Sequence, residues 1–459
     1  MKNIHAAQAL MPDGWRKDVI VRIADDGRIE DVGAAGEQSD GASAQKIDLL
    51  LPAPTNLHSH AFQRAMAGLT ETRGPDPSDS FWTWRRLMYR FLDRLTPEHV
   101  EAIAGLVFME MLEAGYGSVA EFHYLHHDRG GAVYGDLAEM SGRIIAAAER
   151  AGIGLTLLPV HYEFGGCDRR ALEGGQRRFG NDVARFGALH QAAARKIEEV
   201  GKDYAIGVAP HSLRAVDPEG LTQAVALAGA GPLHMHLAEQ VAEVEEVEAY
   251  LGARPVEWLL NAHDVTARWC LIHCTQMTAS ETAALAASGA VAGLCPITES
   301  SLGDGIFRGT EYLGASGRLG IGSDSNVDIA LFGELRVLEY SQRLRDRSRA
   351  ALATAERSTG RVLFDAAAQG GAQAAGRASG RIEEGCWADF VGVQSDNYLL
   401  NGQAGDTALD TLIFGAHGQS CITDVWSAGR HVVEHGQHRE REKIVQAYRA
   451  AMRDLGEAL

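Results

Sequence analysis

The chain has 459 residues, a formal net charge of −18, 46% hydrophobic and 23% charged residues, which suits a folded globular protein with one large domain and a smaller one. The negative charge argues against nucleic acid or an anionic membrane as the main partner, while local arginines leave room for a small anionic substrate. No apolar run reaches the roughly 18 residues of a spanning helix, and the opening "MKNIHAAQALMPDGW" lacks the apolar core of a signal peptide. Six scattered cysteines form no C-x-x-C pair, so a reduced, cytoplasmic protein is expected, with Cys270 and Cys274 read as core packing.

Taken in chain order, the first 50 residues are β-rich: "DVIVRIADDGRIEDVG" alternates apolar and polar residues around Asp-Asp-Gly, a hairpin signal. The same pattern returns in "GRIEEGCWADFVGVQ" and "CITDVWSAGRHVVEHGQ". Residues 1–50 plus 378–436 are therefore expected to form one small β domain, a β-sandwich built from both ends of the chain. Residues 437–459 are expected to form a C-terminal helix.

Between them, residues 51–377 alternate short apolar runs with Ala-rich helical stretches such as "PEHVEAIAGLVFMEMLEAG". The runs are "KIDLLLPAPTN", "GSVAEFHY", "GLTLLPVHY", "AIGVAPHSLR", "PLHMHLAEQ", "RWCLIHCTQ", "GAVAGLCPITES" and "GRLGIGSDSN". Alternating β and α units imply parallel strands with crossover helices, and this number of them predicts an α/β fold, a (β/α)8 TIM-like barrel. A long insert, residues 69–96, follows the first strand, where loops of a barrel's catalytic face lie.

In such a barrel, polar residues at the C-terminal strand ends share one mouth. Nearly every run ends in one: His58 and His60, His123 and Tyr124, His161, His211 and Arg214, His236 and Glu239, His273, and Asp324. His58 and His60 are two apart on an extended strand and project to one side. A lone H-x-H reads as easily as two polar residues where a strand meets solvent. With His236 and Asp324 it becomes a His3Asp set, suited to one divalent ion, Zn²⁺ or Fe²⁺. Such an ion lowers the pKa of water to about 7. Asp324 is then both ligand and proton acceptor, His273 hydrogen-bonds the attacking water and the tetrahedral centre, and Glu239 shuttles a proton to a substrate nitrogen. The plain alternative for Glu239 is a first-turn glutamate favoured by the helix dipole.

The motifs "NLHSH", "HLAEQ", "LIHCTQM" and "GIGSDSN", in this order, resemble the amidohydrolase superfamily, and the likeness extends to the "WADFVGV" strand near the other end. Members with two metals carry a bridging carboxylated lysine on the fourth strand. Here that strand ends "GVAPHSLR", and Lys202 precedes it, so the resemblance implies the mononuclear deaminase branch. More narrowly, "NLHSHAFQRAMAGLTE" with "DSFWTWRRLMYRF" is similar to the formimidoylglutamate deiminases. That implies hydrolysis of N-formimino-L-glutamate to N-formyl-L-glutamate and ammonia in histidine degradation, and a homodimer. The alternative is a deaminase of a purine or pyrimidine base, or of an adenosine-type nucleoside, on the same metal site. A dianionic linear substrate calls for bidentate arginines, here Arg85 in the insert and Arg214, with neutral hydrogen bonds from Gln63, Tyr124 and His211. Arg73 and Arg308 read more simply as surface residues, and Trp82 and Trp84 as packing within the insert.

Overall fold

The computed structural model describes residues 2–34, 44–69, 71, 88–89, 91–415 and 418–458. Four strands come first: β1 (Lys2–Met11), β2 (Gly14–Ile23), β3 (Ile29–Ala34) and β4 (Gln45–Pro52). The middle of the chain supplies β5 (Thr55–Ser59), β6 (Ser118–His123), β7 (Gly154–His161), β8 (Tyr204–Ile206), β9 (Ala209–Pro210), β10 (Leu233–Leu237), β11 (Trp269–His273), β12 (Val291–Leu294) and β13 (Arg318–Ile321). Then follow β14 (Phe390–Val393), β15 (Ile422–Ser427), β16 (Arg430–Glu434) and β17 (Gln437–His438).

The strands from the two ends share one sheet, ordered β17-β16-β15-β14-β4-β1-β2-β3. Within it β1 and β4 run parallel, while β14 pairs antiparallel with β4 and so joins the late strands to the early ones. Side chains alternate across a strand, so this sheet serves two cores. On β4, Leu50 joins Ile4, Val21, Phe390 and Trp426 in the sheet's own cluster. Its neighbours Leu49 and Leu51 face the other way and join the main core with Val391 and Val393. The helix Arg441–Ala458 sets Ile444 on Leu106 and Met109 of the helix Pro97–Glu113, and His99 Nε2 meets Asp454 2.7 Å away.

The parallel strands form a group β5-β6-β7-β8, with β9 also paired to β7, and a group β10-β11-β12-β13. The groups meet at both edges. Val208 bridges to Leu233 on one side, and Ser59 bridges to Asp324 on the other, each in parallel sense. Backbone bonds reinforce both seams: His234 N–H donates to Val208 (3.1 Å), His236 N–H to His211 (3.0 Å), and Asp324 N–H to His58 (2.9 Å). The strands therefore run round on themselves, and β5, β6, β7 and β10 are buried throughout, as parallel strands covered on both faces must be.

Crossover helices begin where the sequence supplies caps. Pro97 opens its helix behind Thr96, whose side chain accepts from His99 N–H, and Thr278 with Glu281 forms a reciprocal capping box at Ala279–Ser288. Among the described residues, no helix is long and apolar enough to cross a membrane. Three strand ends turn through left-handed backbone on residues other than glycine: Ala238 (φ 51°), His273 (φ 70°) and Asp324 (φ 46°). Such conformations persist where the surroundings over-determine them, and they gather at functional sites. His273 and Asp324 are themselves among the residues singled out above, and Ala238 directly precedes Glu239.

Candidate active site

The H-x-H pair on β5 works as its period demands. Both rings lie on one side, 4.6 Å apart between centroids, and both Nε2 atoms approach Asp324 Oδ1, at 3.5 Å from His58 and 3.3 Å from His60. From β10, His236 brings its Nε2 to within 3.1 Å of His58 Nε2. Burial lowers the pKa of His58 to about 3, and burial is also the main cause that lowers His60 and His236. Neutral imidazoles are the metal-binding form. His60 Nδ1 lies 2.9 Å from the Phe122 carbonyl, which can only accept, so Nδ1 carries the proton and Nε2 presents its lone pair. Burial alone would raise Asp324, but the hydrogen bond from His58 and the surrounding imidazoles hold it below the usual carboxylate range. His58 and His60 thus converge with Asp324, and His236 joins them through His58. That donor set fits one divalent cation of the Zn²⁺ or Fe²⁺ type.

Beside this cluster stand the two predicted proton carriers. His273 ends β11 with its ring stacked on His236, 5.6 Å between centroids and 8° between planes. Its Nε2 faces Glu239 Oε1 at 3.8 Å. Glu239 sits on a tight turn after β10, where the N–H groups of Ala238 and Glu239 both donate to Glu243, at 3.3 and 2.8 Å. Burial raises the pKa of Glu239, and the charge on His273 opposes that rise. Burial disfavours a charged His273, but the carboxylates of Glu239, Glu299 and Asp324 outweigh it and lift the ring to about 10. The two groups thus face each other in a buried place with their proton affinities shifted.

A cleft opens over these groups, enclosing about 590 Å³ with the solvent at its mouth included. Gln63, Tyr124, His211 and Arg214, the predicted substrate contacts, all line it. Gln63 Nε2 donates to Tyr124 Oη at 2.7 Å, and Gln63 Oε1 is buried with no hydrogen-bond partner among the described residues. The His211 ring packs edge-on against Tyr162 and His236, with centroids 4.6 and 4.8 Å away. Arg85, Arg73, Trp82 and Trp84 lie outside the described residues.

Two strand-end histidines do not share the mouth. Phe122 and Tyr124 face His60, so the intervening His123 points away and lies beside His126 instead. On β7 the alternation sends Tyr162 into the cleft and His161 outward, stacked on Phe186 at 4.8 Å. Expecting both at the mouth was an error of phase: the last polar residue of a strand is not always the one on the inner face. Arg308 is also elsewhere, donating to Met277 O (3.0 Å) and paired with Glu311 (2.7 Å).

Other site residues went unnoticed in the sequence. Phe122 is fully buried and touches the rings of His58, His60 and His236 at centroid distances of 5.0, 5.3 and 4.5 Å. Phe179 comes from a loop after β7 and forms an aromatic wall with Tyr124 and Tyr162, at 4.6 and 5.6 Å. Glu299, in the helix Pro296–Leu302 after β12, accepts from His273 Nδ1 at 3.2 Å. A signal existed only for the last: a glutamate in the first turn after a strand end, inside the quoted run "GAVAGLCPITES".

Residues 49–432 match the Amidohydrolase family, and residues 1–44 match the formimidoylglutamate deiminase HutF N-terminal domain. A formimidoylglutamate deiminase of Pseudomonas aeruginosa is 46% identical over 461 residues, covering 100% of both chains. The crystal structure of an amidohydrolase from Brucella melitensis superposes with a TM-score of 0.94 at 48% identity, over 99% of this chain and 100% of the other. An adenosine deaminase from Xanthomonas campestris with bound zinc shares the fold, with a TM-score of 0.80 at 22% identity over 99% and 98% of the two chains. A match over residues 49–432, with 46% identity to one relative along the whole length, means that the chain belongs to the amidohydrolase family.

Proposed function

We propose that this protein hydrolyses the formimino group of N-formimino-L-glutamate, yielding N-formyl-L-glutamate and ammonia, as a step of histidine degradation. The observation that carries the reading is the convergence of Glu239, His273 and Asp324 on one cleft that also holds a metal-donor cluster and Arg214. The choice of substrate follows the 46% identity, over the whole chain, with the Pseudomonas deiminase.

In this reading His58, His60, His236 and Asp324 hold the metal, which we take to be Zn²⁺, with Fe²⁺ the other ion such donors accept. When bound, a divalent cation lowers the pKa of water to about 7 and polarises the bond under attack. Asp324 takes a proton from the attacking water. His273 hydrogen-bonds that water and the tetrahedral carbon's new oxygen through Nε2. Glu239 delivers a proton to the imino nitrogen, then takes the proton of the new hydroxyl and passes it to the same nitrogen; the C–N bond breaks, ammonia leaves, the oxygen becomes the formyl carbonyl, and the proton held by Asp324 returns to Glu239. Arg214 and Arg85 bind the two carboxylates, which contributes positioning. Gln63 Oε1 accepts from a substrate N–H, with Tyr124 holding the amide group, and His211 closes the opposite side. A cytoplasmic homodimer belongs to the same reading, in keeping with six free cysteines.

The test is ammonia release measured with formiminoglutamate, guanine, cytosine and S-adenosylhomocysteine. Release from the first alone supports the proposal, and turnover of a ring substrate in its place overturns it. Glu239→Gln, matched for metal content, is expected to lose about 10²–10⁴-fold in kcat, the usual range for general acid–base catalysis. Near-normal turnover would remove Glu239 from the proton path.

A further inference from the structure

His273 is more firmly held than its place on a strand end requires. Its backbone is left-handed at φ 70°, a conformation uncommon for residues other than glycine. Its ring is buried, stacked on one side by His236, and has two edges. The Nε2 edge faces Glu239 and the cleft. The Nδ1 edge faces away from the cleft and meets Glu299 Oε1 at 3.2 Å.

Glu299 is itself fixed. The same Oε1 accepts the Cys295 N–H at 2.9 Å, four residues back, where the helix Pro296–Leu302 begins. Its side chain is 7% exposed and does not line the cleft. That helix is held in turn by Glu334, whose carboxylate accepts the Ile297 N–H at 2.8 Å from a fully buried position. A carboxylate that does not line the cleft, anchored to the scaffold by the Cys295 N–H, therefore grips the remote nitrogen of the ring.

We propose that Glu299 is a positioning residue for the hydrolysis. By accepting from Nδ1–H it fixes the plane of the His273 ring and leaves Nε2 as the nitrogen that serves the reaction. An imidazole without this contact can swivel about its Cβ–Cγ bond and exchange its two edges. A carboxylate behind an imidazole fixes both the ring's orientation and which nitrogen carries the proton, and loss of such partners costs about 10–100-fold in activity. This inference rests on the deiminase reading for its kinetic test and on geometry alone for its structural one.

The kinetic test is a double-mutant cycle, with all rates expressed per bound metal. Glu299→Ala is expected to lower kcat about 10–100-fold with KM within about threefold of the parent value. Glu299→Gln, whose amide oxygen can still accept, is expected to recover most of that loss. In a His273→Asn background, Glu299→Ala should cost almost nothing further, because a group that acts only through His273 has nothing left to act on. A merely structural role predicts the opposite, an equal fold-loss in both backgrounds, and that result overturns the proposal. The structural test needs no substrate: in a crystal structure of Glu299→Ala the His273 ring should leave its stack on His236, and in Glu299→Gln it should keep it. An unmoved ring in the alanine variant overturns the proposal whatever the substrate is. Absence of ammonia from formiminoglutamate with the parent enzyme, together with a displaced ring, rejects the substrate and retains the positioning role.

Discussion

Phe122 is the shared floor of the metal-donor cluster, and its replacement by alanine should affect the fold and the cluster together. The ring is 0% exposed and packs on His58, His60, His236 and His211 at centroid distances of 5.0, 5.3, 4.5 and 6.2 Å. A buried Phe→Ala change removes apolar burial and leaves a cavity, for a cost of about 3–5 kcal/mol. Unfolding entropy of about 2.1 cal/mol/K per residue, over 459 residues, is about 1 kcal/mol/K, so Tm should fall by roughly 3–5 °C. The cavity lies under three of the four donor side chains. Phe122→Ala should therefore also lose metal at a chelator concentration that the parent withstands, while Phe122→Leu, closer in volume, should cost less than about 1.5 kcal/mol. Differential scanning calorimetry on metal-loaded protein and elemental analysis after graded chelation measure both effects. A Phe122→Ala variant with an unchanged Tm and full metal retention would refute the argument that this ring supports the cluster.

Two further predictions concern buried charge. Arg377 donates to Asp389 through Nε (2.8 Å) and Nη2 (3.1 Å), and Asp389 is fully buried between the parallel strands and the terminal sheet. Arg377→Met should destabilise by about 3–5 kcal/mol because it strands that carboxylate, and adding Asp389→Asn should restore part of the loss in a urea melt; additive losses would refute the pairing. Burial pushes the Glu121 carboxyl up to about 8, while one of its oxygens accepts the Ala61 N–H at 2.7 Å. The fold prefers its protonated form, so its contribution is complete below the unfolded-state pKa near 4.5 and is lost as pH rises through about 8. Between pH 6 and 9 the parent should lose about 2–3 kcal/mol relative to Glu121→Gln, which keeps the shape without the charge; parallel stability–pH curves would contradict this.

Much of the site was legible because a strand has a period of two. His58 and His60 announce themselves by that spacing, and the same logic leads to His236 and Asp324 once the runs are seen as parallel strands. Periodicity fixes the spacing of a face but not its phase, which is why His123 and His161 were assigned inward while Tyr124 and Tyr162 hold the inner positions. Phe122 was illegible for another reason: an apolar residue in an apolar run looks the same whether it packs on leucine or beneath a metal site. Glu299 depends on where one short helix begins relative to a neighbouring strand end, a tertiary relation that no local pattern encodes. The terminal sheet was readable as β structure at both ends, but its order, with β14 against β4, comes from pairing between distant segments.

That pairing has a consequence for synthesis on the ribosome. Until β14 exists, β4 is an edge strand with unpaired backbone groups and a row of leucines meant for two cores. Roughly 340 residues separate the two strands, and at about 5–20 residues per second the partner arrives some 20–70 s later. During that interval the nascent chain carries an open, apolar template able to pair with other chains. Strong expression should therefore fill inclusion bodies more readily than the finished fold's stability implies, and slower translation or a chaperone that covers such edges should raise the soluble yield.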